Sequence, residues 1–290
     1  MMAEASELLR SAMSSLWIAA QLLLISGIAF GYIALLIKGK EAIVAARRAI
    51  AEIRINLGLY VVDTLFVAPV ISLLVATIRA GLAHASLIGA GEHVWPLVGR
   101  YPTFFAVVFI GDFASYWRHR LEHTRWLWPA HAIHHSDTDM TWLTLARFHP
   151  VNRITTASID IAVLAVLGFP TWALVANEMV RHYYGEFIHA DLPWTFGPLG
   201  KLVVSPVMHR WHHARDVVAA GSNFATVFSV FDRAFGTYHL PGLCTVPLGV
   251  SEDIGRGVFA QIRFPFVAWF RDLRRLARRE RASASKRDAA

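Results

Sequence analysis

Only one cysteine, Cys244, occurs among 290 residues. A lone cysteine excludes a disulfide framework, a thiolate zinc site and a cysteine-ligated iron–sulfur cluster. Charge is scarce as well: Asp, Glu, Lys and Arg make up 17% of the chain and hydrophobic residues 55%, against roughly 25% and 45–50% in soluble globular domains. That balance excludes a disordered chain and argues for one embedded in a membrane. The sequence has no glycine-rich dinucleotide loop following a strand pattern, no CxxCH haem-attachment sequence and no HExxH helix. Nucleotide-linked redox chemistry, covalent haem and zinc-protease chemistry therefore have no local basis. What the chain has in excess is histidine, 14 residues, together with a formal net charge of +7.

The apolar runs predict membrane crossings. Residues 16–37 carry no charge and match the ~20 residues that cross a bilayer core; their length and the lack of a small-residue cleavage site weigh against a signal peptide. A second span is expected over 57–78, broken only by Asp63 and Pro69, and a third over 101–117, where Asp112 is the single charge. A fourth stretch, 154–179, is interrupted by Gly168, Phe169 and Pro170. Proline inside a helix costs about 3 kcal/mol, so a turn is expected there. The stretch is then a hairpin of two half-length helices, 154–167 and 171–179, entering and leaving by one face.

Lys38, Lys40, Arg47, Arg48 and Arg54 follow the first span, and Arg118, Arg120 and Arg125 follow the third. The loop between the second and third spans has only Arg79 and Arg100 at its edges. The positive-inside bias therefore places the amino terminus outside and the histidine-rich segments on the cytoplasmic side of the membrane, the inner membrane in a bacterium. His84 and His93 fall on the opposite side and are excluded from any site. From Phe259 to Phe270 an aromatic stretch leads into a run of arginines beginning at Arg271, a composition suited to an anionic membrane surface. Nothing in this pattern requires nucleic acid.

Eight histidines fall into three clusters: His119 and His123 in HRLEH, His131, His134 and His135 in HAIHH, and His209, His212 and His213 in HRWHH. Positions i, i+3 and i+4 share a helix face, so each cluster can present two or three imidazoles to one point. Buried imidazoles without a cation are costly in apolar surroundings, and neutral imidazole suits iron, zinc, copper and nickel. Eight ligands exceed the needs of one tetrahedral zinc, and a pair of metal ions accounts for the count better. Asp112, two helical turns before His119, is placed to orient a ligand imidazole from outside.

The segments GDFASYWRHRLEH, HAIHHSD, FIHADLPWTFGPLG, SPVMHRWHHARD and SNFATVFSVFDRAFGT, spread over residues 112–239, together resemble the fatty acid hydroxylase or sterol desaturase superfamily. Its members are integral-membrane, histidine-ligated di-iron oxygenases acting on lipids. The resemblance implies that the eight clustered histidines hold two iron ions, with His189 of FIHAD as a ninth ligand. His182 and His149 rank lower as metal candidates. His149 lies in LARFHPVN, where Asn152 stands at a position at which a glutamate is usual in parts of the family. Asn223, Asp232, Gly236 and Thr237 fit the closing motif, with Asn223 and Asp232 as supporting residues or as turn-forming ones.

The expected fold is all-α: an integral membrane helical bundle with a cytoplasmic, histidine-rich helical cap holding a di-metal site. Residues 1–100 would form N-terminal transmembrane helices, 101–245 the catalytic region and 246–290 a basic amphipathic tail. The implied activity is hydroxylation or desaturation of a lipid or sterol-like substrate with O2 as co-substrate. Electrons must come from an external donor of the ferredoxin or cytochrome type, because the chain has no redox group of that kind to offer. An alternative from another class is a non-catalytic histidine-rich membrane protein that binds or transports metal. A di-haem cytochrome fits poorly, since its histidine pairs would lie inside opposing spans.

Overall fold

The computed structural model describes residues 2–88, 91–215 and 221–288, and the regular elements among them are all helical. The first is α1, Met2–Lys38, followed by the short α2, Lys40–Arg48, and by α3, Ile50–Val62. A π-helical turn, Asp63–Val67, joins α3 to α4, Ala68–His84. The widened turn falls where Asp63 and Pro69 interrupt the second apolar run, a common site for such a bulge. Arg10–Lys38 and Ile50–His84 are long and apolar enough to cross a bilayer. They leave Leu24, Leu36, Phe66 and Leu73 more than 60% exposed, an apolar exterior that suits lipid as solvent. Among the described residues only these two segments combine that length and apolarity.

The expected third span lies within α6, Arg100–Glu122, after the single turn α5, Trp95–Val98. Its buried face carries Val107, Val108, Asp112, Tyr116 and Arg118, so α6 runs through the interior of the bundle. It packs against α8, Pro150–Val166, and α9, Thr171–His189. At Gly111 a side chain would meet the amide of Asn177 at 2.6 Å, so glycine permits this close crossing with α9. The expected turn appears between α8 and α9, with Gly168 at a φ of 67° and Pro170 capping α9. Near its start α8 touches the histidines through Asn152, and α9 returns to them at His189. The two helices therefore lead away from the histidines and back to them, each packed on α6.

Three short helices complete the site: α7, Trp128–His135; α10, Pro206–His212; and α11, Val230–Ala234. Pro129 and Pro206 sit in the first turns of α7 and α10, where a missing N–H costs nothing. Ser205 caps α10 through its hydroxyl, which accepts from the Met208 N–H. The last helix, α12, covers Val258–Asp288. Its beginning is not free: Val258, Ile262 and Phe264 pack with Ile133 of α7 and Leu59 of α3. Beyond residue 245, Gly249 N–H donates to the His213 carbonyl and Arg215 N–H to that of Pro247, so the tail's first part is fastened to the histidine region.

Candidate metal centre

Nine imidazoles converge in two groups. His119, His123, His131, His135 and His212 form the first, and His134, His189, His209 and His213 the second. Within each group the ligand-capable atoms lie within 4.8 Å of one another. Helical spacing explains the division. On α7, His131 and His135 are one turn apart and face the first group, while His134 faces the second. On α10 the pattern is reversed, with His212 in the first group and His209 and the flanking His213 in the second. Both helices therefore straddle the two groups, and the His135 and His213 rings stack across the boundary at 4.4 Å.

The outer nitrogens fix the tautomers. His119 Nδ1 lies 2.7 Å from the Phe224 carbonyl and His212 Nδ1 2.6 Å from that of Ser222. A carbonyl only accepts, so both Nδ1 atoms carry hydrogen and both Nε2 atoms present lone pairs. Those two Nε2 atoms face each other at 3.0 Å. Two lone pairs at that distance repel, and relief by protonation is blocked: burial first, and neighbouring rings second, hold His119 well below its ordinary pKa. Burial likewise lowers His212 and His189 to about 4 and pushes His131, His134, His135, His209 and His213 well down. Neutral, dry imidazoles with converging lone pairs suit a transition-metal cation, which supplies the charge that a proton does not.

The loop of residues 222–228 supplies those carbonyls, and its shape depends on three polar residues. Asn223 adopts a left-handed φ of 57°, and its Nδ2 donates to the Met208 and His239 carbonyls while Oδ1 accepts from His239 N–H. Asp232 accepts the N–H groups of Phe224 and Ala225 and the Thr237 hydroxyl. Asp112 accepts from Thr226, Val227 and Phe228. Asp112 was expected to face an imidazole. Its hydrogen bonds are instead to this loop, with the Arg181 guanidinium 3.8 Å away, so it meets His119 only through the loop. Asn223 and Asp232 stand in the same relation to the histidines.

His149 and His182 belong to neither group. His149 caps α8, with Nδ1 accepting from Val151 N–H and Nε2 facing the Ile262 carbonyl at 3.1 Å. His182 is half-exposed, 3.5 Å from Glu186. His84 and His93 also lie outside both groups. Sequence reasoning overlooked Glu122, inside the HRLEH motif itself. It is fully buried, accepts from Arg118 and Thr155 at 2.7 and 2.6 Å, and lies 3.6 Å from His131 Nδ1. The Asn152 amide also meets His131 Nδ1, at 3.2 Å, and its Oδ1 has no other partner among the described residues. With that amide turned so that Oδ1 faces the ring, His131 donates through Nδ1 like His119 and His212.

Residues 104–237, which contain all nine converging histidines, match the fatty acid hydroxylase family. An ornithine lipid hydroxylase of Rhizobium tropici is 29% identical over 180 residues, covering 60% of this chain and 54% of that protein. Human alkylglycerol monooxygenase is 33% identical over 132 residues, 45% of this chain and 29% of its own length. A very-long-chain aldehyde decarbonylase of Oryza sativa subsp. indica is 29% identical over 150 residues, 49% of this chain and 53% of the relative. This chain thus spans about half or less of the relatives it matches. No solved structure matches it.

Proposed function

We propose that this chain is a membrane-bound, O2-dependent oxygenase that hydroxylates a lipid at a pair of histidine-held iron ions. The observation that carries the reading is the convergence of nine imidazoles, eight of them buried, whose outer nitrogens, at His119, His212 and His189, are committed to carbonyls. His119, His123, His131, His135 and His212 would hold one iron, and His134, His189, His209 and His213 the other. Iron bound there supplies the reduction of O2 to an oxidant able to take hydrogen from carbon. The balance is R–H + O2 + 2 e⁻ + 2 H⁺ → R–OH + H2O, with the electrons drawn from a ferredoxin- or cytochrome-type donor. The protein's own part is to hold the imidazoles neutral, to wall the site with Phe148, which stacks on His134 at 4.7 Å, and to admit the lipid beside the histidines.

In this reading α1 and the α3–α4 helix cross the membrane, the α8–α9 hairpin dips into it, and the histidines face the cytoplasm. Residues 1–100 serve as anchor, 101–245 as catalytic region and 246–290 as a strap along the membrane surface. The family match and the names of the relatives support lipid oxidation over metal transport. The test is elemental analysis joined to turnover on protein purified in detergent. About two irons per chain with oxygen-dependent lipid oxidation is the expected result, and His134→Ala or His212→Ala should lose iron and activity together. Zinc in place of iron, or full activity in either variant, would overturn it.

A further inference from the structure

The nine converging imidazoles are not equally covered. Eight are buried, and His123, at the end of α6, is only partly so. Two aromatic rings flank it, Trp128 of α7 at 5.1 Å and Phe224 at 5.0 Å. Trp128 also meets His135 at 5.4 Å and His131 at 6.3 Å, so one indole touches three imidazoles of the first group. That indole is itself partly exposed, and its N–H donates to the exposed Glu252 at 2.9 Å. A single ring thus leads from the first group to the surface.

The surface beside this ring is aromatic and basic. Trp117, Leu121 and Trp126 are 43%, 45% and 52% exposed. The Arg120 guanidinium lies over the Trp117 ring at 5.0 Å and the Phe224 ring at 6.0 Å, and that of Arg125 over Trp126 at 5.4 Å. On the adjoining turn of α12, Arg271, Arg274 and Arg275 stand against Asp272, to which Arg125 and Arg275 come at 3.5 and 3.7 Å. Glu252 and Asp253 are the acidic residues nearest the ring in sequence, and they leave the balance positive. Exposed tryptophan and arginine together are typical of protein–protein contacts. A bilayer laid over this face would seal the one partly open side of the centre from the external donor that the reaction requires.

We propose that the face formed by Trp117, Arg120, Leu121, Arg125 and Trp126 docks an acidic one-electron carrier protein, and that electrons enter the first group through Trp128 and His123. This assignment rests on the oxygenase reading above. Each docked carrier is oxidised by one electron, so two dockings supply the two electrons of the balance given there, with the two protons taken from solvent. Electron transfer weakens steeply with distance, and all four imidazoles of the second group are buried. Positive charge on the face raises the encounter rate of an acidic partner about tenfold or more at low salt.

The experiment uses the full chain in phosphatidylcholine nanodiscs with two acidic probes, a plant-type ferredoxin and a cytochrome b5. Binding is measured on metal-free protein by calorimetry, and electron entry on iron-loaded protein by anaerobic stopped-flow absorbance of the reduced probe. At least one probe should bind at low salt and be released at about 1 M salt, where the screening length is about 3 Å. Arg120→Gln combined with Arg125→Gln should weaken that binding about tenfold at low salt and leave iron content unchanged. Trp128→Leu should bind the probe as before and lose most of the fast reduction. Trp128→Phe, which keeps a ring against His123 without the bond to Glu252, should restore it. Failure of both probes to bind, binding indifferent to salt or to the double variant, or full-speed reduction in Trp128→Leu would overturn the assignment while leaving the oxygenase intact. If Trp128→Leu holds no iron, the double variant decides alone. Loss of probe binding in phosphatidylglycerol nanodiscs would give the face to the membrane and overturn it too. A chain that takes up no iron would overturn the oxygenase reading itself, and probe binding by metal-free protein, which needs no turnover, would still decide the face.

Discussion

The two imidazole groups share α7 and α10 yet are held differently from outside. In the first, His119 and His212 donate to carbonyls of the 222–228 loop, about a hundred residues from His119 in sequence, and His131 is flanked by Asn152 and Glu122. In the second, His189 donates to Gly185 one turn back in its own helix, and Nδ1 of His209 and of His213 has no hydrogen-bond partner among the described residues. Hydrogen bonds to outer nitrogens set tautomer, ring orientation and basicity. The first group is therefore built by long-range folding and the second chiefly by helix geometry. Disturbing the loop should separate them.

The largest effects come from the ligands themselves. His212→Ala should empty the first group and His213→Ala the second, each reducing iron from about two to about one per chain and abolishing turnover. Loss of both ions in either variant would show that the groups fill as one unit. Acid should blur the contrast next. Burial lowers the imidazole pKa values in both groups, so below about pH 6.5 the unfolded chain takes up protons that the folded chain refuses. Stability of metal-free protein is then fully present above that pH and falls between about 6.5 and the value of about 4 reached by His189 and His212. His189 and His212 each contribute about 1.4 kcal/mol per pH unit across that window. Thermal melts in detergent at pH 7, 6 and 5 would read this, and a flat profile would contradict it.

Asn223→Ala attacks the loop whose carbonyls hold the first group. It removes the side chain that ties the loop to the Met208 and His239 carbonyls and leaves an alanine at a φ of 57°, a strained position for a side chain. Loss of such outer support costs about 10- to 100-fold in metal affinity, here in one of two binding steps. Chelator competition should show one iron weakened and the other unchanged; equal weakening of both would remove the distinction between the groups.

Some of this was legible in the sequence and some was not, for physical reasons. The nine histidines that converge are those marked by helical chelate spacing and by the FIHAD segment, because ligands on short helices must repeat at i, i+3 and i+4. The break at residues 167–170 was legible because glycine and proline act locally. The carbonyls of Ser222 and Phe224 were not, since every residue has one. Nor was the contact of Asp112 with three backbone N–H groups more than a hundred residues away. Helical periodicity puts Asp112 on the same face as His119, but it says nothing about the loop that comes between them. α2 escaped notice because its nine residues, between two apolar helices, read as a charged connection.

The smallest expected effect tests whether the loop or a carboxylate governs the first group. Glu122 stands 3.6 Å from His131 Nδ1, near the side of the ring that the neutral Asn152 also meets. Glu122 could therefore supply from α6 the negative charge that Asn152 lacks. Glu122→Gln keeps an acceptor for the Thr155 hydroxyl, and Arg118 keeps its bond to Asp160 at 2.9 Å, so the fold should hold. What is lost is charge near His131, and through it some ligand basicity. If the loop dominates, iron affinity at the first group should fall by less than about tenfold, below the range expected for Asn223→Ala. If the two variants weaken iron equally, the carboxylate carries as much of the first group as the loop does. The asymmetry between the groups would then lie in charge as well as in backbone carbonyls.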